Sequence, residues 1–352
     1  MYITGLGTAA PAKRFSQVQC WEAVQRSEFY RVLSTKARAI LRGVLLNDNG
    51  IDARHLALDA LEDAFQLAPD PLQERFATHA PELVRRAATA ALRDAALEAG
   101  DIDAILISTC TGYLCPGLSS YAIESLGLRP DVVALDFVGQ GCGAALPNLR
   151  AAEALVESGR CETALSVCVE VCSAAFYMDE DPGVLISACL FGDGAGAAVV
   201  AAAPPPHRRR VEWGDAYSFC DPAQREALRF THCAGMLRNV LSPEVPALAG
   251  RYAAAVLGNA LERKGLQHSD IQSWILHAGG KKVLQRLREN LRLDESATRH
   301  SAEILAQFGN LSSPFVYFVL ERALAENAPG GWWWMSSFGA GFSCHGALLK
   351  VA

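Results

Sequence analysis

The sequence predicts an α/β fold built from two similar halves, and three observations predict it. An alanine-rich helix, an acidic turn and an apolar strand occur twice. Residues 81–99 lead through Gly100-Asp101-Ile102-Asp103 into Ala104–Cys110, and residues 252–264 lead through Ser269-Asp270-Ile271-Gln272 into Ser273–His277. Aligning Asp101 with Asp270 sets an offset of 169 (270 − 101), which also carries Gly141 onto Asn310. Each half then ends on a glycine-rich run, Phe191–Val200 and Phe338–Leu349, that reads as strand, turn, strand. Between them Ala201–Arg210, rich in proline and arginine, reads as the linker, so the halves are taken as 1–203 and 204–352.

Composition narrows the function classes. The 352 residues are 51% apolar and 20% charged, which is globular rather than disordered. A net charge of −6 with scattered basic residues argues against a nucleic-acid or anionic-membrane surface. Eleven cysteines, an odd number with no CxxC, read as reduced cytosolic thiols. Met1–Gly7 lacks the basic and apolar regions of a signal peptide and reads as a first strand. The longest apolar stretch, 185–203, is broken by Asp193 and three glycines and is not a membrane span.

In chain order, Trp21–Arg42 has helical spacing, with Arg38 and Arg42 on one face. Asn47–Gly50 is a turn, and Gln66–Glu74, with two prolines, reads as a loop before the helix at 81–99. Asp131–Phe137 reads as a buried strand and Asn148–Val156 as a helix, which puts Cys142 on the glycine turn between them. Met178–Pro182 reads as a surface turn with no metal-ligand spacing, so no metal is expected. Trp332-Trp333-Trp334 reads as a strand whose rings alternate between faces.

Cys142 is the candidate nucleophile. A thiol at a helix N-terminus faces unpaired N–H groups, and its pKa can fall to roughly 3.5–7.5; most cysteines, by contrast, are small buried hydrophobes. If the halves pack face to face, equivalent helix N-termini meet near a pseudo-twofold axis, making Asn310 a neighbour of Cys142. His277 ends a strand of the second half, where ligands collect in α/β sheets. A cysteine, a histidine and an amide can deprotonate a thiol and stabilise an oxyanion. Cysteine proteases and thioester-handling acyltransferases both use such a set. The duplication and the mid-chain GQGCG favour acyl transfer.

The runs Gly139-Gln140-Gly141-Cys142, Leu190–Gly194, His277-Ala278-Gly279-Gly280, Gly309–Ser313, Phe338–Gly341 and Leu126–Pro130 resemble, in order and spacing, those of type III polyketide synthases. These are the chalcone synthase relatives. The resemblance implies a thiolase-like, five-layered αβαβα fold, a homodimer, and acyl-coenzyme A and malonyl-coenzyme A as substrates with no added cofactor. It implies that Cys142 carries the acyl chain, that His277 and Asn310 assist decarboxylation of malonyl-coenzyme A, and that Phe191 gates the cavity. Lys36, Arg38 and Arg42 fall where the family contacts coenzyme A phosphates, and Gly279 and Gly280 fall in the same binding region. Ketoacyl synthase III enzymes share Cys, His and Asn but carry HQAN where this chain has HAGG. A cysteine thioester hydrolase could use the same three residues, releasing free acid without malonyl-coenzyme A. A non-catalytic protein of the same fold would have no need to keep all three.

Departures from the family pattern bear on substrate. A second gating phenylalanine is replaced by Asn239, two cavity threonines by Cys172 and Ala175, and a cavity methionine near the dimer contact by Cys115. Smaller or equal side chains suggest room for a longer acyl group, hence a fatty acyl starter. Malonyl-only use yielding a small aromatic is the competing expectation.

Overall fold

The computed structural model describes residues 1–205 and 208–352; Pro206 and His207 of the predicted linker lie outside the described residues. In the first half β1 (Tyr2–Ala9), β2 (Arg14–Ser16), α1 (Gln17–Arg26), α2 (Glu28–Val32), α3 (Thr35–Leu46) and β3 (Ala53–His55) precede the long α4 (Pro69–Ala95). Then follow β4 (Ala104–Ser108), α5 (Leu118–Leu126), β5 (Val133–Phe137), α6 (Ala145–Glu157), β6 (Thr163–Glu170), α7 (Pro182–Leu190) and β7 (Gly194–Ala201). The second half runs β8 (Val211–Cys220), β9 (Leu228–Cys233), β10 (Met236–Leu241), α8 (Val245–Lys264), β11 (Ile271–Leu276) and α9 (Lys281–Leu291). It ends with α10 (Arg299–Phe308), α11 (Phe315–Ala325), β12 (Gly331–Gly339) and β13 (Ser343–Val351).

The duplication is visible in the strand pairing. In order β1-β7-β6-β4 the pairs are antiparallel, antiparallel and parallel, and β8-β13-β12-β11 repeats that sequence of pairings. The two sheets meet edge to edge where Tyr2 and Ile3 pair with Glu212 and Val211. Layering follows from which face each strand buries. Helices α6 and α11 share one core with inward residues of both sheets, including Ile3, Leu106, Trp333 and Met335. Helix α4 covers the outer face of the first sheet, and α8 and α9 cover that of the second. The result is helix, sheet, helix, sheet, helix. Trp333 joins the central core and Trp334 the outer one, the alternation a strand requires.

Close approach of β1 to α4 depends on glycine. A Cβ at Gly7 would lie 2.3 Å from the Ala87 carbonyl oxygen and 2.4 Å from the Ala91 nitrogen. Both are backbone atoms of a helix and cannot swing aside. Gly7→Ala is therefore expected to cost at least about 1–3 kcal/mol by overpacking, read as a lower urea midpoint with unchanged slope; an unshifted midpoint would show that α4 yields.

Several expectations are corrected. Trp21–Arg42 is not one helix: Ser27 and Ser34 adopt extended backbone, and their side chains cap α2 and α3 by accepting from Tyr30 and Ala37. The expected loop at 66–74 holds the first turn of α4, because Pro69 stands where a helix needs no N–H. Phe191 follows a helix, α7, rather than a strand. The acidic turn is anchored: Asp181 caps α7, Asp179 pairs with Arg238 at 2.8 Å, and Glu180 accepts from the Ser34 N–H at 2.6 Å. Strand β5 is not buried; it is the sheet edge, with Val133 41% and Leu135 38% exposed. The offset that maps the other strands carries β5 onto residues of α10, so the second half has no counterpart to this edge among the described residues.

Candidate active site

Two glycine motifs distant in sequence shape the turn that holds Cys142. Gly139 and Gly141 have φ of +85° and +57°, backbone that favours glycine, and Gly141–Gly143 form a single 3₁₀ turn ahead of α6. The turn after β12 presses against it. A Cβ at Gly339 would lie 2.3 Å from the Gln140 carbonyl oxygen and 2.5 Å from the Gly143 nitrogen, and Ser337 Oγ donates to the Gly143 carbonyl at 3.1 Å. The runs GQGCG and FGAG are thus one feature in space.

His277 directly follows β11. Its N–H donates to the Ser336 carbonyl at 2.9 Å, and its ring lies 5.2 Å from the Phe315 ring and 5.1 Å from that of Phe338. It is 1% exposed, and neither ring nitrogen has a hydrogen-bond partner. Burial among aromatic rings pushes its pKa down to about 3.

Asn310 lies between α10 and α11. Its N–H donates to the Leu190 carbonyl at 2.8 Å, its carbonyl accepts from the Gly192 N–H at 3.0 Å, and it bridges to Phe191 as an isolated strand pair. Its side chain reaches two further motifs: Nδ2 donates to the Gly279 carbonyl at 3.1 Å, and Oδ1 accepts from the Ser312 N–H at 2.9 Å. Ser312 Oγ in turn donates to Cys142 Sγ at 3.1 Å. The pseudo-twofold expectation made Cys142 and Asn310 neighbours; the direct contact runs through Ser312, two residues on. One amide proton of Asn310 Nδ2 remains for a ligand.

A largely apolar cavity of about 50 Å³ opens in front of Cys142. Phe191, Cys172, Ala175 and Asn239 line it with Cys142, Cys110 and Ser312. His277 and Asn310 do not line it; Asn310 is linked to it through its hydrogen bond to Ser312. Cys115, expected near a dimer contact, is exposed in the single chain on the loop between β4 and α5. Helix α3 packs Leu41 and Leu45 against Leu185 and Cys189 of α7, whose Val184 and Ala188 line the cavity. On α3, Lys36 and Arg42 are exposed, whereas Arg38 is committed to the Tyr30 and Arg31 carbonyls at 3.1 and 2.8 Å. Gly280 stands at the N-cap of α9.

Burial opposes charge at this site. It pushes the Cys142 thiol up to about 12, against the lowering expected from a helix N-terminus; the Ser312 hydrogen bond pulls the other way. Burial thus favours neutral sulfur at Cys142 and neutral imidazole at His277. Two buried acids escaped the sequence reading. Glu170 accepts from the Cys110 N–H, Thr111 Oγ1 and Ser313 Oγ at 3.0, 2.9 and 2.6 Å, and burial holds its pKa above the usual range. Asp193 accepts from the Ala57 and Ser173 N–H groups at 2.6 and 2.8 Å, tying β7 to the cavity wall. The available signal for both was an acid terminating or interrupting an apolar run. Among the described residues no group of three potential ligands is placed to hold a metal, and no helix is long and apolar enough to cross a membrane.

Family profiles described as "Chalcone and stilbene synthases, N-terminal domain" and "C-terminal domain" match residues 58–204 and 228–351. The chain belongs to the chalcone and stilbene synthase family. It is 31% identical to the 3,5-dihydroxyphenylacetyl-CoA synthase of Amycolatopsis balhimycina, over 98% of this chain and 92% of the relative. It is also 31% identical to the 1,3,6,8-tetrahydroxynaphthalene synthase of Streptomyces peucetius subsp. caesius, over 99% and 92%. Among solved structures, the 1,3,6,8-tetrahydroxynaphthalene synthase of Streptomyces coelicolor A3(2), a bacterial type III polyketide synthase, superposes with a TM-score of 0.90 at 25% identity, covering 99% of both chains. The chalcone and stilbene synthase-like chain described here is therefore a type III polyketide synthase, an acyltransferase of thiolase-like fold that works on coenzyme A thioesters.

Proposed function

We propose that this synthase loads a short acyl group on Cys142, extends it iteratively with malonyl-coenzyme A and closes the chain to a small hydroxylated aromatic or a pyrone. As Sγ attacks the starter thioester, its proton passes to His277 and coenzyme A leaves as the thiol. Malonyl-coenzyme A then loses carbon dioxide, and the enolate oxygen is held by His277 and the free Asn310 amide proton. The enolate carbon attacks the acyl-Cys142 carbonyl, expelling Sγ as the thiolate, which regains a proton drawn from water, and lengthening the chain by two carbons on coenzyme A. The halves 1–203 and 204–352 contribute the nucleophile and the enolate-stabilising pair respectively. Lys36 and Arg42 are the residues we assign to the coenzyme A phosphates, with Arg38 bracing α2, and Phe191 to the gate.

The observation that carries the short starter is the cavity lining. Four aromatic side chains, Phe176, Tyr177, Phe191 and Phe230, line the cavity together with Asn239 and occupy volume that a long acyl chain would need. The products named for the two relatives above are likewise compact hydroxylated aromatics. Intact-mass measurement with acyl-coenzyme A esters of graded length tests this. Adducts and products with acetyl or malonyl esters are expected; preferential loading of long fatty acyl chains would overturn the short starter in favour of a tunnel.

We further propose a cytoplasmic homodimer joined through the exposed β5 edge, a strand paired with β4 on one side only among the described residues and followed by Val138 at 62% exposure. Eleven unpaired cysteines fit a reducing compartment. Leu135→Glu is expected to convert the dimer to monomer in sedimentation analysis; a dimer that survives this change is joined elsewhere.

A further inference from the structure

Ser312 has a conformation that its side chain does not favour. Its φ of +60° lies in the left-handed region, uncommon for a residue with a Cβ, and such outliers persist where surrounding bonds impose them. Here two bonds impose it. The Ser312 N–H is held by Asn310 Oδ1 at 2.9 Å, and the next residue is held by Ser313 Oγ donating to the buried Glu170 at 2.6 Å. The conformation aims Ser312 Oγ at Cys142 Sγ, 3.1 Å away, and among the described residues no other side chain donates to that sulfur. Ser312 also lines the cavity, so its hydroxyl stands beside the sulfur on the substrate side. By the repeat offset its counterpart in the first half is Gly143, which has no side chain to play this part.

We propose that Ser312 is a positioning residue for the nucleophile: its hydroxyl keeps its own proton and donates to the charge that develops on Sγ when the thiol proton leaves for His277. This rests on the reading of Cys142 as the acyl carrier. The need for such a donor follows from burial, which disfavours a bare thiolate, and a hydrogen bond to a charged group is stronger than one to a neutral group. The titratable groups whose charge reaches the sulfur are Cys110, Glu170 and Cys172, and the His345 ring lies near the adjoining Gly143. Negative charge on Glu170 opposes the thiolate.

The test uses Ser312→Ala and Ser312→Gly in the full chain. The glycine variant removes the hydroxyl while accepting the left-handed backbone, so it stays folded if the alanine variant does not. Iodoacetamide labelling of Cys142 is followed by peptide mass spectrometry from about pH 6 to about pH 10, below the raised pKa of the buried thiol, where the rate follows the thiolate fraction and a change in pKa displaces the whole profile along the pH axis. In both variants the apparent pKa of Cys142 is expected to rise by about one unit or more, with labelling at neutral pH slowed about tenfold. Acyl loading should slow with little change in KM. An unchanged pH profile in the folded variants overturns the proposal, as does a shift seen in alanine but not in glycine, which would locate the effect in the backbone. If wild-type Cys142 takes no acyl group from any coenzyme A ester, the nucleophile reading itself fails instead.

Discussion

Cys142→Ala and His277→Ala are expected to part company on malonyl-coenzyme A. Without the thiol there is no acyl-enzyme, so starter adducts vanish and polyketide formation falls by about four orders of magnitude or more, as when other covalent nucleophiles are removed. Under the proposed mechanism, loss of carbon dioxide from malonyl-coenzyme A does not itself need the thiol, because the enolate oxygen is assigned to His277 and Asn310. Decarboxylation therefore stays measurable in Cys142→Ala, uncoupled from condensation. His277→Ala removes both the acceptor of the thiol proton and one donor to the enolate, so decarboxylation and loading should each fall by roughly 10²–10⁴. Radiolabelled carbon dioxide release and intact-mass adducts, measured side by side, separate the two. Equal loss of decarboxylation in both variants would mean that the thiolate takes part in enolate formation and that the division of labour proposed above is wrong.

The second large effect is on stability in acid. His277 is fully buried without a hydrogen-bond partner, and burial pushes its pKa down to about 3. Unfolded, the same side chain takes up a proton near pH 6.5. Below that value the unfolded chain binds a proton that the folded one refuses, so stability present at neutral pH is lost as pH falls toward 3. His345, pushed down to about 4, adds a contribution of the same sign. Glu170 and Asp193 act oppositely: with pKa values raised by burial they hold protons that the unfolded chain releases, so their contribution weakens as pH rises. The clean measurement is the difference between wild type and His277→Gln, which leaves the other groups in place. Between pH 6.5 and pH 5 the wild type should lose about 2 kcal/mol relative to the variant in urea unfolding. Parallel curves for the two proteins would show that the ring is hydrated or hydrogen-bonded in solution.

Much of the site was legible because chemistry-bearing residues sit in short motifs with backbone requirements of their own. Cys142 stands between glycines that a sharp turn needs, and Asn310 lies near the start of a helix at the repeat-related point. Phe191, Cys172, Ala175 and Asn239 do line one cavity, as the family resemblance implied. What escaped were residues whose importance is purely spatial. Ser312 reads as an ordinary serine before a helix, and only packing brings it against a sulfur 170 positions away. Asp193 reads only as a break in an apolar run and Glu170 has no reading of its own until their burial and their donors are seen. Arg38 appeared equivalent to Arg42, yet the break at Ser34 turns it back onto α2.

The sequence by itself determined the duplicated α/β architecture, the family and the three residues proposed for catalysis, because hydrophobic period, glycine placement and repeat offset are local properties written along the chain. Only the tertiary structure decided that β5 is an open edge rather than a buried strand, since an apolar run says that a strand is covered but not by what. It alone decided the ionisation at the site as well. A helix N-terminus lowers a thiol pKa, burial raises it, and which prevails at Cys142 depends on how completely the turn after β12, packed against Gly141 and Gly143, keeps water away from the sulfur.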